Sequence, residues 1–238
     1  MTGKVIIIRG PLGVGKSTIG RHLAADLSSL YVPLDDVLAD HGLDRVPADA
    51  ECIPAENFLL VLRSLLPKLQ QTVAAGQSVV VDACFYHREM IQFLDTHFPG
   101  QTAVFTLSAP VEICIARDRE RSKSHGEDAA RAVHDLVSRF TAGKKIDATK
   151  SKKSILQEIM KNLARGAWRA YERRWPPQPT ADISENENDP PAKSKSFTRP
   201  MKKRPAERLV VVPPEEARPP QRMTASLPVA MNESSWSR

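Results

Sequence analysis

Eight residues, Gly10-Pro-Leu-Gly-Val-Gly15-Lys16-Ser17, have the types and spacing of a phosphate cradle, GxxxxGK followed by Ser or Thr. Glycines at 10, 13 and 15 let the backbone fold tightly with its N–H groups turned inward. A helix opening at Lys16 adds the positive end of its dipole. In such a loop Lys16 reaches the β- and γ-phosphates of a nucleoside triphosphate, and the Ser17 hydroxyl ligates Mg²⁺. Gly10, Gly13, Val14, Gly15, Lys16, Ser17 and Thr18 are the candidate nucleotide-binding residues. An ordinary glycine turn is the bland alternative. An apolar run before the loop and a helical pattern after it favour the cradle.

Further carboxylates and arginines surround this motif in the reading. Asp35 and Asp36 fall at the expected end of a second strand, where ligands of an open parallel sheet bind. Asp35 is the candidate base for the proton of an attacking hydroxyl, and Asp36 a second acceptor contact or a helix cap. Asp82 ends the apolar run 79–81, the arrangement in which a strand-end carboxylate holds Mg²⁺ beside Ser17. Arg88, six residues on, is a candidate acceptor-orienting group, with a solvent-facing helix position as the alternative. Arg117 and Arg121 are four apart, so on a continuous helix they share a face. Two guanidinium groups there suit the charge of a transferring phosphoryl group, and the polar stretch 122–128 reads as a lid, about 117–130 in all. Adjacent Asp118 and Glu120 equally allow a solvated, salt-bridged helix.

The elements that must position these groups alternate. Residues 4–9, 29–34, 78–82, 102–107 and 144–147 read as strands. Residues 16–27, 37–40, 54–75, 87–97, 111–121, 128–140 and 154–171 read as helices, with Pro67 kinking or splitting the third. Such alternation predicts an α/β fold: a five-stranded parallel sheet between helical layers, with right-handed crossovers. There is no internal repeat.

Composition divides the 238-residue chain. All 11 glycines lie at or before Gly166, and 12 of 19 prolines at or after Pro176. Residues 1–175 therefore read as one ordered domain, and 176–238 as a disordered, Pro-rich tail of mixed charge whose one apolar run is 209–212. The tail is a candidate partner-binding segment. No apolar run approaches the roughly 18 residues of a membrane helix, and the run 5–8 is too short for a signal peptide. Cys52, Cys84 and Cys114 are odd in number and widely spaced, which predicts neither a disulfide scaffold nor a zinc site and fits the cytoplasm. Net charge is +6, and residues 144–174 are locally basic. That stretch is a nucleic-acid candidate, with a solvated helix face as the commoner reading. Trp168, Tyr171 and Trp175, interleaved with Arg169, Arg173 and Arg174, suit base stacking or a membrane surface, with a helix docking its aromatics on the core as the commoner reading.

The order of parts resembles the P-loop kinases, the small phosphotransferases that include adenylate, shikimate and gluconate kinases, chloramphenicol phosphotransferase and polynucleotide kinases. GPLGVGKST (10–18), LDD (34–36), VVVDACF (79–85), RDRER (117–121) and, more loosely, KKIDAT (144–149) carry the resemblance. It implies a P-loop NTPase fold and ATP- and Mg²⁺-dependent transfer to a hydroxyl or phosphate. Asp35 is then the base and Arg117 and Arg121 the lid arginines. The chain lacks the DGFPR run of adenylate kinases and the glycine-rich turn of shikimate kinases, which disfavours those two substrates, and LDD, DACFYHR and RxxxR look closer to polynucleotide kinases and the broad group of ATP-binding kinases beside them. The expected activity is transfer of the γ-phosphate of ATP to a small-molecule hydroxyl. A polynucleotide 5′-hydroxyl kinase and a nucleotide-binding switch without transfer are the alternatives.

Overall fold

The computed structural model describes residues 3–122, 124–166 and 210–211. Apolar residues alternate in neither β1 (Val5–Arg9) nor β3 (Val79–Ala83), and both strands are buried along their whole length. That is the pattern of strands covered on two faces. With β2 (Leu30–Pro33), β4 (Thr102–Ser108) and β5 (Lys144–Asp147) they form the expected parallel sheet, in the order β5-β4-β1-β3-β2.

Alternate positions along each strand serve different layers. Val5, Ile7, Val32, Val79, Val81 and Val104 pack with α2 (Leu34–Asp40), α3 (Ala55–Ala74) and α4 (Arg88–His97). Ile6, Ile8, Tyr31, Val80, Ala103 and Phe105 pack with α1 (Lys16–Asp26), α5 (Val111–Arg119) and α7 (Lys152–Arg165). The fold is therefore three-layered, and α6 (Glu127–Ser138) packs on α5.

Three elements differ from expectation. Helix α3 runs through Pro67 without splitting, because Phe58, Val61 and Leu62 before it and Leu69 and Val73 after it anchor in the same core. Helix α2 begins at Leu34, so Asp35 and Asp36 lie in its first turn rather than on the strand. A sixth strand, β6 (Val210–Val211), pairs antiparallel with Leu30 and Tyr31. It comes from the apolar run of the tail and satisfies part of the open edge of β2. The rest of the tail, assigned above to disorder, and Trp168, Tyr171 and Trp175 lie outside the described residues. Among the described residues no helix is long and apolar enough to cross a membrane.

Candidate active site

The loop from Gly10 to Gly15 leaves β1 at the centre of the sheet, where the chain order reverses between β3 and β4. This is the switch point at which open α/β sheets bind ligands. Gly13 adopts φ 73°, and a Cβ there would lie 2.0 Å from the Cys114 carbonyl oxygen. Only glycine lets the loop pass α5 this closely. Gly15, at φ 100°, caps α1 without a side-chain bond, leaving the first N–H groups of the helix directed at the loop. Gly13, Gly15, Lys16, Ser17 and Thr18 line one cavity of about 200 Å³ together with Arg117 and Arg121. Val14 is buried beneath the loop.

Lys16 is buried, and its Nζ donates to the Pro11 carbonyl at 3.0 Å. Burial alone would pull its pKa down. Contact with the Cys84 thiol and the nearby Asp35 and Asp82 carboxylates outweigh that, so the ammonium stays protonated. Ser17 Oγ donates to Asp82 Oδ2 at 2.9 Å, across the β1–β3 pair. Asp82 Oδ1 is buried without a hydrogen-bond partner among the described residues, as is the nearby Tyr31 hydroxyl. Burial pushes the Asp82 carboxyl up, against the pull of the Lys16 ammonium and the Ser17 hydroxyl. An orphaned carboxylate oxygen beside a serine hydroxyl is a hard donor set, and it fits a Mg²⁺ ion.

Asp35 is only half-buried by exposure, yet protein crowds its carboxyl and raises the pKa from 3.8 to about 6. Burial is the main cause and Asp82 adds to it; Lys16 and the Cys84 backbone N–H oppose it. Asp35, Lys16 and Asp82 thus form one coupled group.

The arginines converge by a different route than a shared helix face. Helix α5 ends at Arg119, so Arg117 lies in its last turn and Arg121 in the turn beyond. Both nonetheless line the phosphate cavity, and Arg117 Nη1 donates to the Ala148 carbonyl at 3.0 Å. Asp36 is exposed on α2 and is not among the cavity residues. Arg88 opens α4 with its guanidinium 5.0 Å from the Phe140 ring centre, also outside that cavity.

Three contributors are not evident in the sequence. Cys84 bridges Asp35, through its N–H, and Lys16, through its thiol; burial pushes that thiol up to about 12. Arg9 is wholly buried at the end of β1. It donates to the carbonyls of Phe85 (3.2 Å), Phe140 (3.2 Å) and Val137 (2.9 Å) and to Thr106 Oγ1 (3.3 Å). Phe85 holds a left-handed φ of 45°, so Arg9 clamps a strained turn directly after Cys84. A charged residue closing an apolar strand was its one sequence signal. Asp118, read above as part of a solvated helix, is 1% exposed.

A phosphate loop at the switch point, with a lysine, a metal-competent carboxylate and two arginines around it, defines a P-loop kinase. The chain belongs to the AAA domain family, whose model matches residues 5–143. It is 27% identical over 141 residues to a shikimate kinase from Xanthomonas euvesicatoria, covering 57% of this chain and 74% of the relative. It is 29% identical over 132 residues to a gluconokinase from Arabidopsis thaliana, covering 51% and 69%. The crystal structure of a gluconokinase from Sinorhizobium meliloti superimposes with a TM-score of 0.55 at 17% identity, covering 73% of this chain and 99% of that one. The short motifs LDD, DACFYHR and RxxxR lean towards polynucleotide kinases, whereas matches over far longer stretches carry small-molecule kinase names.

Proposed function

We propose that the protein transfers the γ-phosphate of MgATP to a hydroxyl group of a small molecule, with Asp35 as the general base. The observation that carries this reading is the coupled group of Lys16, Asp35 and Asp82 at the mouth of the phosphate loop. A mere nucleotide binder has no use for a carboxylate kept partly desolvated beside the cradle. The loop amides and Lys16 hold the phosphates, and Ser17 and Asp82 hold Mg²⁺. Bound there, Mg²⁺ neutralises charge on the phosphate oxygens. Asp35 accepts the proton of the acceptor hydroxyl as its oxygen attacks phosphorus. Arg117 and Arg121 meet the charge spread over the phosphoryl oxygens. Asp36 and Arg88, which lie outside the phosphate cavity, are assigned as acceptor contacts.

The polynucleotide reading draws on a groove of about 580 Å³ lined by Lys144, Lys150, Lys161 and Arg165. That groove lies along β5 and α7, whereas Asp35 follows β2 at the other end of the parallel strand order. Its position favours the small-molecule reading. Incubation with γ-labelled MgATP tests both, using a panel of small hydroxyl compounds that includes shikimate and gluconate beside a 5′-hydroxyl oligonucleotide. Label in a panel compound, lost in Lys16→Ala, supports the proposal; label on the oligonucleotide alone overturns it in favour of the second reading. Bound ATP with label in neither favours a switch.

A further inference from the structure

After α5 the chain turns sharply, with the Glu120 N–H bonded to the Ala116 carbonyl and the Arg121 N–H to that of Asp118. The carboxylate of Asp118 gathers the far side of this turn. Its Oδ2 accepts from Ser124 Oγ at 2.7 Å, the His125 N–H at 2.8 Å and the Gly126 N–H at 3.3 Å. Its Oδ1 lies 3.3 Å from His125 Nδ1 and 3.7 Å from Arg121 Nη1. Burial alone would raise its pKa, but the bonds from Ser124 and His125 hold it below the usual carboxylate range.

The contrast with its neighbours is informative. Arg119, Glu127 and Arg131 form ion pairs on the open surface, where such pairs contribute little. Asp118 is buried, and a buried carboxylate taking several charge-assisted bonds fixes the groups that donate them. Arg121, which lines the phosphate cavity, forms an ion pair with the same carboxylate at 3.7 Å.

We propose that Asp118 is a positioning residue for Arg121, holding the turn after α5 in the form that presents this guanidinium to the phosphate cradle. The inference rests on the reading of Arg121 as a phosphate contact. Arg121 is on the more exposed side of the pair, so without Asp118 its long side chain samples solvent. The entropy of ordering it then falls on nucleotide binding itself.

The test is a double-mutant cycle on affinity for a non-hydrolysable ATP analogue, measured by calorimetry, with ADP in parallel. Arg121→Ala and Asp118→Asn each weaken analogue binding, by about tenfold, on the scale of one charge-assisted hydrogen bond. ADP binding changes less. The double variant binds no worse than Arg121→Ala alone. Additive losses, or an unchanged analogue affinity in Asp118→Asn, overturn the proposal while leaving the role of Arg121 standing. An unchanged affinity in Arg121→Ala overturns both. If Asp118→Asn does not fold, Ser124→Ala replaces it in the cycle, with a smaller loss that again vanishes in the Arg121→Ala background. A loss that persists there counts against the proposal.

Discussion

The phosphate loop and the arginine turn face the same cavity but are built on opposite principles. The loop is backbone suspended between a buried strand and a helix, with Gly13 wedged against α5. The arginine turn is side-chain architecture: one buried carboxylate, Asp118, gathers a polar turn from within. Backbone geometry at the loop leaves almost no residue choice. A turn held by side-chain donors tolerates many sequences provided the acceptor at its centre remains. On the proposed function, anion binding resides in the rigid half, and the half proposed to meet changing charge is the one whose local bonds can break singly.

The strongest way to break this comparison is Lys16→Ala. It should lower phosphotransfer by at least about 10³-fold, read with labelled ATP, because among the described residues no other buried ammonium sits in the cradle. Asp35→Asn should lower transfer by about 10²-fold or more while ATP binding persists in calorimetry. It should also stabilise the protein at neutral pH. The native carboxyl, at about 6, binds its proton more tightly than the unfolded one near 3.8, so the wild type loses stability as pH rises between those values. The gain in melting temperature should therefore shrink on acidification through that window. A fully retained transfer rate in Asp35→Asn sinks the base assignment.

Arg9→Met sharpens the rigid side. It leaves the carbonyls of Phe85, Val137 and Phe140 short of a donor and should cost about 3 kcal/mol in urea unfolding. Release of the Phe85 turn should also loosen Cys84 against Asp35. Glu127→Gln, on the exposed side of the arginine turn, marks the small end of the scale. Its melting temperature should stay within error of the wild type, and a clear drop would show that the surface pairs, not Asp118, hold the turn.

How much of this could be read in advance follows from how local each cause is. The cradle is a contiguous motif, so its loop conformation was legible, as were β1 to β4 from their apolar runs; β5, with only Ile146 buried, followed from the strand–helix alternation. The place of Asp82 at the end of β3, against Ser17 of the loop, followed from the apolar run before it; the same signal at Arg9 did not disclose its partners. The helical face assigned to Arg117 and Arg121 was not what brings them together, since α5 stops at Arg119 and Arg121 reaches the cavity through a turn.

The chain by itself determined the conformation of the glycine loop proposed to hold phosphate, because that loop is backbone geometry dictated by adjacent residues. Tertiary structure alone decided that Arg9 is buried beneath the rim and that Cys84 joins Asp35 to Lys16. It likewise decided that Asp118 faces inward rather than to solvent. A charged side chain reads the same on a surface or in a core until its partners arrive, and those of Arg9 lie as far as 131 positions away in the chain. Bonds between such distant residues form only when the sheet has set its strand order, and that order appears in no single stretch of sequence.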